Sequence, residues 1–136
     1  MRLNFEAAMG ELASEEIQEE IWPNPPPFTG FDLVIHILFD DVNIRENPDW
    51  NKDYGLKPEQ ADCVFEVMST IEALWERCGI EADQAVLRSQ PEWEKVVKLA
   101  KRYINLSEVS DDYREYCMSR RSYFERFESG IPFEER

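Results

Sequence analysis

The stretch FDLVIHILFDD, residues 31–41, is apolar through most of its length, holds the chain's one histidine at position 36 and ends on two adjacent aspartates. Phe31, Val34, Ile35, Leu38 and Val42 recur at i, i+3, i+4, i+7 and i+11, which is one face of a 3.6-residue helix. Leu33, Ile37 and Phe39 cover much of the remainder, so the reading is a central helix that is apolar nearly all round. Its β-branched residues leave a strand as the alternative, because periodicity does not separate the two in a short apolar run. For the helix, Thr29 or Gly30 supplies the N-cap and Asp32 suits the first turn. In this setting His36 reads as a packing residue of the core, and Asp40 and Asp41 as the start of an acidic edge.

Four further helices are expected around this one. Phe5, Ala8, Met9, Leu12, Ile17 and Ile21 mark one helix over residues 5–21, with glutamates on its other, solvated face. Pro23, Pro25, Pro26 and Pro27 end it and make a stiff, extended connector, packed by Trp22 and Phe28. Residues 43–57 are a long polar loop. The best-signalled helix starts at Pro58, ends at Cys78 with Gly79 beyond it, and carries Ala61, Val64, Phe65, Met68, Ile71, Trp75 and Cys78 on one face. A short turn or helix follows around 81–88. Ser89 and Glu92 have capping-box spacing ahead of a face of Trp93, Val96, Val97, Ala100, Tyr103 and Ile104. The last helix runs from about Ser110 to Ser129 with an aromatic stripe of Tyr113, Tyr116, Cys117, Phe124 and Phe127, decorated by Arg114, Arg120, Arg121 and Arg126. The expected fold is therefore all-α, a single domain over residues 1–136 of about five helices, with the segment 110–129 as a separable addition.

The net charge is −14, and the acid is unevenly spread: residues 1–50 carry 11 acidic and 2 basic side chains, residues 91–136 carry 10 and 9. Such a field repels nucleic acid and anionic membranes and attracts basic partners, although acidity for solubility alone is the plainer reading. No apolar run approaches the ~20 residues of a membrane span, and the N-terminal residues lack the apolar core of a signal peptide, so a cytoplasmic location is expected. Cys63, Cys78 and Cys117 are widely spaced with no CxxC, and reduced thiols are expected.

Few residues offer chemistry. His36 and Asp40 share a helical face at i, i+4, where a carboxylate could orient an imidazole or join it on a metal. One histidine and two aspartates are too few for a defined zinc site, and no nucleophile, phosphate-loop or EF-hand pattern is present. Glu15/Glu16, Glu19/Glu20 and Asp40/Asp41 read as acidic surface rather than as catalytic carboxylate pairs. The expectation is a protein without catalysis or cofactor.

FDLVIHILFDD and the later PEWEKVVKLAKRYI together resemble a family of small, uncharacterised, acidic bacterial proteins that pair a VVHxLFDD-like segment with a PxWxxVV helix. The likeness spans roughly residues 17–104 and carries structural motifs rather than chemical ones. Proteins of this kind resemble the immunity partners of polymorphic or contact-dependent toxins. What the resemblance implies, joined to the charge, is an immunity protein that binds and neutralises a basic toxin domain of the nuclease class. The alternative is a non-catalytic adaptor or regulatory domain for another basic protein. The loop DDVNIRENPDWNKDYG would be the docking surface: Asp40, Asp41, Glu46, Asp49 and Asp53 surround Trp50 and Tyr54, acids about a large aromatic anchor. The plainer reading of Trp50 is cover for the core edge.

Overall fold

A computed structural model of the chain describes residues 2–25, 30–41, 49–53 and 55–107, and among these there is helix and no strand. The elements are α1 (Arg2–Ala13), α2 (Glu15–Glu20), α3 (Phe31–His36), α4 (Trp50–Asp53), α5 (Pro58–Cys78), α6 (Gln84–Arg88) and α7 (Trp93–Leu106). The all-α expectation holds, and the helix reading of residues 31–39 prevails over the strand. α3 runs on into a wide π-helical turn, Ile37–Asp41. The expected helix at 110–129 lies outside the described residues.

The single helix expected over 5–21 is two. Ser14 sits in extended backbone and its hydroxyl accepts the Ile17 N–H at 3.2 Å, so a cap interrupts the helix and starts α2. The solvated glutamate face is found only on α2, where Glu15, Glu16, Glu19 and Glu20 are exposed. On α1, Glu6 and Glu11 are buried, along with Ala8, Met9, Leu12 and Ala13. Burial of these two carboxylates is tolerable because each has donors: the Tyr103 hydroxyl donates to Glu6 at 3.1 Å and the Trp22 indole N–H donates to Glu11 at 3.1 Å. α1 is thus the interior helix, with α7 laid along it and α2, α3 and the π turn also in contact.

α7 packs against both α1 and α5 and runs opposite to α5. At one end, the Lys57 ammonium donates to the Leu106 carbonyl at 3.0 Å, and the Gln60 amide donates to the Tyr103 carbonyl and the Ser107 hydroxyl. The two donors satisfy the Tyr103 and Leu106 carbonyls in the last turn of α7, and Lys57 places a cation where the helix dipole favours one. At the other end, Arg77 grips Glu92 through both carboxylate oxygens at 2.6 Å. The hydrogen-bonded guanidinium lowers the Glu92 carboxyl to about 2. The support that this pair lends is present above the ordinary carboxylate range and is lost as pH falls through 2.

The expected face of α5 is turned slightly from the observed one. Ala61, Val64, Met68 and Ile71 are buried as expected, but the stripe is completed by Cys63, Val67 and Leu74, while Phe65 is exposed and Trp75 and Cys78 are half-buried. The face expected for α7 is buried in full. Its expected capping box does not form: the Ser89 hydroxyl donates back to the Val86 carbonyl, and Glu92 is drawn to Arg77. Cys63 and Cys78 are free thiols, and burial pushes the Cys63 thiol up.

Three aromatic rings tie the α2–α3 connection to the start of α7. Trp22 lies 5.3 Å from Phe31 and 6.1 Å from Trp93, and Phe31 lies 6.2 Å from Trp93, between centroids. Gly30, the N-cap of α3, has φ 99° and a hypothetical Cβ there would meet Pro25 side-chain carbons at 2.9 Å. Gly30→Ala is expected to lose about 1–3 kcal/mol in urea unfolding, from the strained backbone and the clash together. Unchanged stability would show that the connector can move aside.

Candidate functional site

The polar residues of the α3 segment fall on one line. Asp32, His36 and Asp40 are exposed, while Phe31, Val34, Ile37 and Leu38 are buried and Leu33, Ile35 and Phe39 are half-buried between them. His36 is therefore not a core residue. It occupies the solvent stripe, its Nδ1 2.8 Å from Asp40 Oδ2, with the two side chains 56% and 67% exposed. The i, i+4 pair expected from spacing forms, but open to water. It lacks the dry, enclosed setting in which an imidazole and a carboxylate do acid–base work, and it stands as a polar surface feature.

The expected docking residues divide. Asp40 and Asp49 are exposed, and Asp49 lies 3.5 Å from the Lys52 ammonium across one helical turn. Trp50 is 2% exposed and packs edge-on to Phe65 at 6.0 Å, so its indole belongs to the core and presents no free face to a partner. The docking expectation for Trp50 is corrected accordingly: a large apolar ring beside α5 gains more by burial than by standing in water. The side chains of Asp41 and Asp53, and residues Glu46 and Tyr54 altogether, lie outside the described residues. Among the described residues no three His, Cys, Asp or Glu side chains converge as a metal site would require.

What spacing alone did not reveal is a groove beside the acidic stripe. It has a volume of about 570 Å³ and lies between the start of α3, the end of α5 and the turn into α6. Trp22, Phe31, Ile35, Trp75, Ile80 and Ala82 supply its apolar surface, and Asp32, Glu81 and Asp83 stand among them. Its one sequence signal was Ile80, a large apolar residue in a polar turn, GIEAD, behind a helix-ending glycine. No family model, curated protein or solved structure matches the chain. No described helix is long and apolar enough to cross a membrane.

Proposed function

We propose that the chain is an immunity protein, which binds a basic toxin domain of the nuclease class and covers the surface that grips nucleic acid. The observation that supports the reading is the exposed stripe of α3 and its π turn that carries Asp32 and Asp40, on a chain of net charge −14. An enzyme that holds a phosphate backbone needs a cationic cleft, and an acidic rigid edge is its electrostatic complement. Aspartates on a helix backed by a packed core are held in place before contact, so little side-chain order is lost on binding. The resemblance of FDLVIHILFDD and PEWEKVVKLAKRYI to small acidic immunity-like proteins points the same way.

The test is capture from the native host with the chain as bait. The captured protein should be basic, should cleave nucleic acid, and should kill cells when expressed without this chain but not with it. An acidic partner, or a partner equally harmless alone, contradicts the reading.

A further inference from the structure

We propose that the groove between α3 and the α5–α6 turn seats a basic, apolar-anchored segment of a protein partner. One large apolar side chain lies over Trp75, Ile35 and Ile80, and arginine or lysine side chains beside it meet Asp32 and Glu81. The proposal rests on the docking reading for the charge of the partner, and adds the place and chemistry of its anchor.

Gly79 caps α5 with φ 99° and its N–H bonds the Trp75 carbonyl at 2.7 Å, which ends the helix abruptly and turns the next residue outward. Ile80 is consequently 78% exposed. A lone exposed isoleucine is ordinary. Here it borders half-buried Ile35, Trp75 and Ala82, over a floor of buried Trp22 and Phe31. The volume suits a few side chains of a segment. The floor is firm, because Trp22 and Phe31 pack tilted against each other and edge-on against Trp93.

Charge then selects the occupant. Among the described residues no lysine, arginine or histidine lines the groove. Asp32 and Glu81 take part in no ion pair or hydrogen bond among the described residues, and both are exposed. Asp83 is occupied in capping α6, accepting the Ala85 N–H. Two uncompensated carboxylates at an apolar groove repel acidic segments and anionic lipid and favour a cation held beside an apolar group. A guanidinium gains further from the half-buried Trp75 ring.

The probe is the peptide acetyl-Arg-Arg-Trp-Arg-Arg-amide, titrated into the full isotopically labelled chain and followed by amide chemical shifts. The largest shifts are expected at Ile80 to Gln84 and at Asp32 to Ile35. Replacing the peptide's tryptophan by alanine, or its arginines by glutamates, should weaken binding about tenfold or more. In the chain, Ile80→Asn should weaken binding of the parent peptide about tenfold, and this exposed position leaves the circular dichroism spectrum unchanged. Asp32→Asn with Glu81→Gln should weaken binding and flatten its dependence on salt. Shifts spread over the α2 glutamates, equal binding of the alanine peptide, or indifference to Ile80→Asn overturns the proposal. So does a concentration-dependent dimer that Ile80→Asn dissolves, which makes a second copy the occupant. If the peptide fails while loss of the Asp40 and Asp49 charges still abolishes protection, the groove falls and the immunity reading stands. If the peptide binds in the groove but the captured partner is acidic, the groove stands and the immunity reading falls.

Discussion

Trp93→Ala is expected to cost about 3–5 kcal/mol, read as a fall in the urea midpoint. The indole is 5% exposed and joins the start of α7 to two other parts of the molecule. Its ring contacts Trp22 and Phe31, so truncation opens a cavity among three aromatics. Its N–H donates to the Gln18 side-chain oxygen at 2.9 Å, while the Gln18 amide nitrogen donates to the Glu11 and Leu12 carbonyls at 3.0 and 2.8 Å. Removing the indole leaves that buried oxygen without this donor, which adds to the cavity cost. Trp93→Phe keeps most of the volume and loses the donor, and should fall in between. A Trp93→Ala loss below about 1 kcal/mol would show that the α1–α2–α7 junction repacks freely.

Trp50→Ala is also expected to destabilise the fold by about 3–5 kcal/mol, and to leave the dissociation rate of a bound partner unchanged. The sequence left two readings of this residue, an aromatic docking anchor and cover for the core edge. Burial of the ring at 2% exposure favours the second. Normal stability with faster dissociation would restore the anchor role. Unfolding in urea and release measured by stopped flow decide between them.

Much of the fold was legible because it rests on local rules. Pro58 and Gly79 bracket α5 in the sequence, and its helix ends at Cys78. The face of α7 follows from spacing because that helix has one wet side and one dry side. α1 was harder. Its glutamates look like a solvated face, and only the tertiary arrangement, which brings Tyr103 and Trp22 as donors, buries Glu6 and Glu11. The exposure of His36 was legible in the same spacing that pairs it with Asp40: Asp32, His36 and Asp40 stand four apart, the repeat of one helical stripe, so the histidine shares its face with two acids rather than with Ile35 and Leu38. Of the candidate site, composition revealed the sign of the charge. The groove was out of reach, since Trp22, Asp32, Trp75 and Glu81 are distant in sequence and meet only through packing.

The most direct test of the proposed docking of the acidic edge on a basic toxin domain is the association rate of the captured pair by stopped flow at two ionic strengths. Between about 0.01 M and 0.15 M salt the Debye length falls from about 30 to about 8 Å, so attraction between surfaces is felt at the lower strength and largely screened at the higher. The variant Asp40→Asn, Asp41→Asn, Asp49→Asn, Asp53→Asn keeps side-chain size and removes four charges. The native chain should associate about tenfold faster at low salt than at high, and the variant should lose most of that difference and protect cells poorly while its unfolding midpoint stays close to native. Equal association rates for the two chains at low salt, with full protection by the variant, would contradict the account.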